Sequence, residues 1–176
     1  MLRFRMKSIF FLISASVCLA PAEARSKVAI LNVQKAIVST QDGKTAAEEL
    51  KHKFAPDQTR LANEQQEIDS LESQLKDATG HSDEETTTLK ARVATMTTSH
   101  RRRVEDAQQR FEQERLRVFK ELGVKLQTVV EKYATQKHFE VVLDESDPKT
   151  PVFWRSPTTD ITNEMIKRCD EAAKTR

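Results

Sequence analysis

Arg101, Arg102 and Arg103 stand side by side, and guanidinium groups are the side chains best suited to grip a phosphate or carboxylate. Two readings of this triplet stay open: a solvated helix face, or a docking point for an anionic group such as a lipid phosphate. Elsewhere the chemistry thins out. Gly43, Gly80 and Gly123 are the only glycines, too few and too scattered for a phosphate-cradling loop. His52, His81, His100 and His138 are dispersed and show no metal-ligand spacing. Carboxylates are many, but they alternate with Lys and Arg as on a solvated helix. No nucleophile elbow or cysteine–histidine motif is present. The expectation is a non-enzyme that needs no cofactor and no metal.

Before any fold can be read, the first residues must be set aside. "MLRFRMK" is basic, "SIFFLISASVCLA" is apolar but too short to span a bilayer, and Ala22 and Ala24 form an A-x-A site. Residues 1–24 are therefore expected to be a signal peptide cleaved after Ala24, with a short N-terminal anchor as the alternative. Cys18 would leave with it, and Val17 before it is wrong for lipid attachment. Cys169 then stands alone, better read as a packed small hydrophobe than as a reactive thiol. Without residues 1–24, which hold Arg3, Arg5, Lys7 and Glu23, the 29 basic and 27 acidic residues fall to 26 of each. A balanced chain is a poor nucleic-acid binder.

The positioning elements follow from periodicity. From about Thr45 to Lys137 the chain is rich in good helix formers. Leu50, Phe54, Leu61, Ile68, Leu71 and Leu75 recur at coiled-coil spacing. A second seam runs through Leu89, Val93, Met96, Val104, Ala107, Phe111, Val118, Leu122, Leu126, Val129 and Tyr133. Between them, in "DATGHSDEE", Gly80 suits a helix C-cap, and Ser82 with Glu85 forms a capping box. A hairpin tip near 79–83 is preferred over the rival "TMTTSH" around Thr97. Pro56 is expected to kink or restart the first arm.

Strand signals occur only at the chain ends. "KVAILNV" opens with β-branched and apolar residues, "HFEVVLDE" answers it more than a hundred residues later, and "PVFWR" reads as a further short strand. "TDITNEMIKRCDEAAK" reads as an amphipathic helix with Thr162 as N-cap and Ile161, Met165, Ile166 and Cys169 on one face. The fold class is thus α+β and mostly helical. A body from 25–44 and 120–176 carries an inserted helical hairpin arm over 45–119, with "STQDGK" as the hinge. So small a body should gain stability by oligomerising. On pattern alone the hairpin is either a spacer or a binding arm.

Four pieces resemble the Skp (OmpH-like) family of periplasmic chaperones: "KVAILNVQKAIVSTQDGK", "RFEQERLRVFKELGVKLQTVV", "FEVVLD" and "DITNEMIKRC". Their order along the chain is the specific part, and the resemblance covers essentially the whole length after the signal. It implies a jellyfish-shaped homotrimer whose β-rich body carries three helical tentacles around a cavity. It also implies ATP-independent holding of unfolded outer-membrane proteins on their way to the outer-membrane assembly machinery. Clients would then meet arm residues such as Phe54, Leu61, Ile68, Met96 and Phe111. Val28, Ile30, Val33, Val141, Leu143, Ile161 and Ile166 would build the trimer body, while no lipopolysaccharide-site residues are carried over and the Arg101–Arg103 triplet keeps its two readings. Many family members are markedly basic and this chain is not, so strong electrostatic capture of clients is not carried over. The alternative is a coiled-coil adaptor or spacer of the cell envelope without chaperone activity.

Overall fold

The computed structural model describes residues 27–77 and 82–175. The signal segment, Cys18, Gly80 and His81 lie outside the described residues. Two strands and four helices follow in the order β1 (Val28–Leu31), α1 (Val33–Ser39), α2 (Gln41–Lys76), α3 (Asp83–Lys137), β2 (Val141–Asp144) and α4 (Thr162–Lys174). A single 3-10 turn, Pro157–Thr159, precedes α4.

β1 and β2 pair in parallel, with Val28 opposite Val141 and Leu31 opposite Asp144. A parallel pair cannot be closed by a tight turn and needs a long crossover. Here α1, α2 and α3 together are that crossover. "FEVVLD" is therefore the partner expected for the first strand. "PVFWR" is not a strand: residues 151–156 join no ladder, Arg155 bonds Glu145 and Asp160 through its side chain, and Phe153 and Trp154 are 97% and 83% exposed. The only other sheet contact among the described residues is an isolated bridge from Ile30 to Asp160.

Val33 does not extend β1 as "KVAILNV" suggested. Asn32 stops the strand because its side chain accepts the Lys35 N–H at 2.8 Å, capping α1. Val33, Ala36 and Ile37 then follow helical spacing, and Ala36 and Ile37 are buried. The Asn32 N–H donates to Thr162 Oγ1 at 2.9 Å, and the Val33 N–H donates to Asp144 Oδ1 at 3.2 Å. Thr162 is thus not the α4 N-cap. Ile161 holds that place without a side-chain cap, while Thr162 is buried and spends its hydroxyl on the first strand's exit.

The core gathers Ala29, Leu31, Ala36, Ile37, Leu126, Ile161 and Met165, with Phe119, Leu122, Val129 and Tyr133 of α3 packed on its rim. The root of the arm therefore completes the body. Cys169 packs on the same cluster. Burial pushes its thiol pKa up, aided by the nearby Asp170 and Asp42 carboxylates, as befits a packing residue.

At the arm's base, Thr40 ends α1 and caps α2. Its hydroxyl donates to the Ile37 carbonyl at 2.8 Å and accepts the Gly43 N–H at 3.1 Å. The backbone is so tight there that a Cβ on Gly43 would collide with the Ile37 carbonyl oxygen. Gly43→Ala should lower stability by about 3 kcal/mol, the upper end of overpacking costs, read as a lower urea midpoint. An unchanged midpoint would show that the α1–α2 junction yields freely.

Candidate functional site

The arm is the antiparallel pair α2–α3. α2 has 36 residues, roughly 54 Å at 1.5 Å per residue. It runs unbroken through Pro56, so the expected restart does not occur: Pro56 faces solvent and the helix continues past the lost N–H. At the far end α2 stops at Lys76, and α3 begins with the Ser82–Glu85 capping box in place. The rival turn is excluded, since Thr97 lies inside α3.

Apolar residues close the arm at several levels. Phe54 and Phe111 meet edge to face with centroids 5.2 Å apart, and Ala107, Ile68 and Leu71 are buried in the same seam. An aromatic pair of this kind is worth about 1 kcal/mol beyond its buried area, more than most exposed ion pairs supply.

Between these levels the seam is polar. Asp57 accepts from Arg110 across the pair at 2.9 Å, and Asp42 from Lys125 at 2.7 Å near the root. Glu114 bonds Arg117 on its own helix and Lys53 on the other. The Arg117 hydrogen bonds, then that of Lys53, hold the Glu114 carboxyl at about 2. A depressed acid contributes its stability above the ordinary carboxylate range and loses it only as pH falls toward 2. Further out, Glu64 Oε2 lies 3.2 Å from His100 Nδ1 and 3.0 Å from Arg103 Nε.

The residues singled out from the sequence are thus placed as follows. Phe54 and Ile68 are buried between the arm helices. Leu61, Met96 and Phe111 are half-buried along the same seam. The arginine triplet is not brought together: Arg103 turns inward to Glu64, Arg101 lies 3.9 Å from Glu105, and Arg102 is exposed. Helical neighbours point about 100° apart, so the three cannot close on one anion from this backbone. In the body, Ile30 and Ile161 are buried within the chain and Val33 and Ile166 are half-buried, while Val28, Val141 and Leu143 are exposed.

Glu64 and His100 were not singled out, yet a signal existed. The first seam skips from Leu61 to Ile68 and the second from Met96 to Val104, and these two residues fill the gaps. No group of acidic, histidine or cysteine residues able to hold a metal occurs among the described residues. Nor is any described helix long and apolar enough to cross a membrane.

Phe54→Ala should loosen the middle of the arm and leave the body intact. Hydrogen exchange at amides around residues 50–58 and 107–115 should quicken at least tenfold, the effect of losing about 2 kcal/mol of packing. Amides of β1, β2 and α4 should keep their protection. Equal loss in both regions would mean that arm and body unfold together.

Two comparisons bear on this architecture. No curated protein sequence matches the chain. A crystal structure of an outer membrane chaperone (OmpH-like) from Caulobacter crescentus CB15 shares its fold at a TM-score of 0.64 and 18% identity. The match covers 97% of this chain and 92% of that one. The sequence profile of the family described as outer membrane protein (OmpH-like) matches residues 27–169, which takes in β1, the whole arm, β2 and most of α4. The chain therefore belongs to the OmpH-like family.

Proposed function

We propose that this protein is a periplasmic, ATP-independent holdase that shelters unfolded outer-membrane proteins between helical arms. The observation that carries the reading is the family match along body and arm together, on a chain whose arm is its dominant element. A holdase needs reach and many weak contacts, because multivalent contact and enclosure give affinity without one strong site. The structure supports that economy. Exposed charges on the arm are interspersed with half-buried Leu61, Met96 and Phe111 and with exposed Leu116 and Val124.

Self-association into a trimer belongs to the same proposal. A two-stranded sheet is marginal in water. Its outer face shows Val28, Val141 and Leu143 to solvent, and Phe153 and Trp154 are bare in the single chain. Such surfaces support burial against further copies. Delivery to the outer-membrane assembly machinery and contact with anionic lipid through the exposed Arg101 and Arg102 belong to the same reading.

Cutting the arm at the level where Asp57 faces Arg110 tests it. Removal of residues 58–109, joined by a short flexible linker, should leave a folded, self-associating body. Light scattering of a denatured outer-membrane barrel on dilution should show full suppression by the intact protein and none by the shortened one. Full protection by the shortened form would shift client binding to the body. No protection by the intact form would favour an envelope spacer.

A further inference from the structure

A hollow opens at the root of the arm, beside Phe111. Its cause lies in α2. Gly43 has no side chain because the Ile37 carbonyl oxygen stands where its Cβ would be. Ala46 and Ala47, one helical turn farther on, add only methyl groups. Across the gap on α3, Val118 and Leu122 are half-buried where larger side chains on α2 would have covered them. The result is a groove of about 390 Å³, toward the small end of the range for ligand sites.

Its walls are apolar. Ile37 and Val38 come from α1, Leu50 from α2, and Phe111 and Phe119 from α3. Val38 is 57% exposed, so the apolar surface continues out to the lip. Charge enters only through Lys51 and Arg115, the two ionised groups of the lining, and both are cations. Their neighbours Glu48, at 3.9 Å, and Glu112, at 2.8 Å, do not line the groove. Gln34 and Gln58 add side-chain amides, which can both donate to and accept from a peptide backbone. Neighbouring clefts differ in charge. One is lined by Lys53, Asp57, Arg110 and Glu114, another by Asp42, Arg117 and Glu121, so acids answer cations within each.

We propose that this groove is a side-chain socket for the polypeptide held by the arm. It takes an aromatic or branched aliphatic side chain that stands next to a carboxylate. The side chain displaces water from the apolar floor, and Lys51 and Arg115 meet the carboxylate. Apolar burial supplies the attraction. The cations supply the choice among segments, since complementary charge gives specificity more than raw affinity. The socket rests on the holdase reading and names the kind of client segment that the arm grips best.

A second copy of this chain fits the groove less well. Phe153 and Trp154 are the bare aromatic side chains among the described residues, yet residues 150–152 and 155–157 around them hold no carboxylate. They hold Arg155 instead, which is already bonded to Glu145 and Asp160. Such a segment offers the cationic edge nothing to pair with.

Two short Gly–Ser peptides, one carrying a single Trp–Asp pair and the other Trp–Lys, probe the socket in the full chain after residue 24. Methyl NMR should show shifts at Val38, Ala46, Ala47 and Val118. The Trp–Asp peptide should bind about threefold more tightly, the effect of an exposed charge pair. Lys51→Glu, at a side chain 74% exposed, should abolish or reverse that preference without touching the core. Ala47→Leu puts a good helix former into the hollow and should weaken both peptides about tenfold. Shifts confined to other residues, equal affinity for the two peptides, or binding untouched by Ala47→Leu would overturn the proposal. Groove methyls that answer the peptides only after dilution has separated the chains would do the same and assign the groove to a second copy. Saturation by laurate with no response to either peptide would assign it to a lipid chain instead. The light-scattering assay is scored apart: if the intact protein fails to protect a denatured barrel, the holdase reading falls, and the peptide preference still decides the socket.

Discussion

The parallel pairing of β1 with β2 is the constraint on which the rest depends. Two strands of four residues each cannot pair in parallel through a short connection. Residues 32–140 must therefore leave the sheet and return to its starting end. A single crossover helix would have served that purpose. This chain instead sends out α2, turns, and comes back along α3, so the connection itself becomes the arm. Its return is completed at His138, whose backbone adopts a left-handed conformation at φ 55°. That conformation costs a non-glycine residue about 1 kcal/mol. It is offset locally: the His138 N–H donates to the Thr135 carbonyl, and Lys27 Nζ donates to the Lys137 carbonyl at 2.8 Å while lying over the Phe139 ring.

Loop closure of this size is entropically unfavourable, and the structure meets the cost at both ends of the crossover. On the outgoing side, Asn32 and Thr40 break the path twice and spend their polar atoms on α4, α1 and α2. On the returning side, Phe119, Leu122, Leu126 and Val129 of α3 supply much of the core's floor. The arm cannot be detached at its root without opening the body. Farther out, where the helices touch only each other, closure depends on the seam alone. Stability is therefore graded along the arm, as local unfolding energies generally are.

Much of this was legible in the sequence. Helical spacing of Leu, Phe and Ile marked both arms, and the Ser82–Glu85 box marked the start of the second. "FEVVLD" stood out as the partner strand because Val141, Val142 and Leu143 form an apolar run there that follows the helical seam rather than continuing it. The misses share a physical cause. Val33 and the residues of "PVFWR" are apolar and β-branched or aromatic, so local propensity favours strand, but what decides is a long-range partner. Val33 loses its strand to the Asn32 cap and the Thr162 hydroxyl, 130 residues away. "PVFWR" finds no strand to pair with among the described residues. Thr162 looked like a cap because threonine often caps, yet its hydroxyl was needed elsewhere. Pro56 looked like a break because the sequence does not show which face of the helix meets water.

The candidate site was less legible for a different reason. Sequence patterns report which residues share a face, but not whether that face is spent on the chain's own packing. Phe54 and Ile68 illustrate this: an apolar stripe suited to gripping another molecule is the same stripe that closes a hairpin, and here the hairpin takes it. What remains for contact outside the chain is the flank of the seam together with a charged surface whose cations are largely answered by neighbouring carboxylates. Beyond residue 24 the chain carries equal numbers of acidic and basic residues, many of them paired along or across the arm, so it exerts little net field at a distance, since screening in salt erases what local pairing leaves. Contacts made by such an arm must be short-ranged, so they depend on how closely the two helices hold each other. Cohesion of the seam, rather than bulk charge, is then the property that sets what the arm presents.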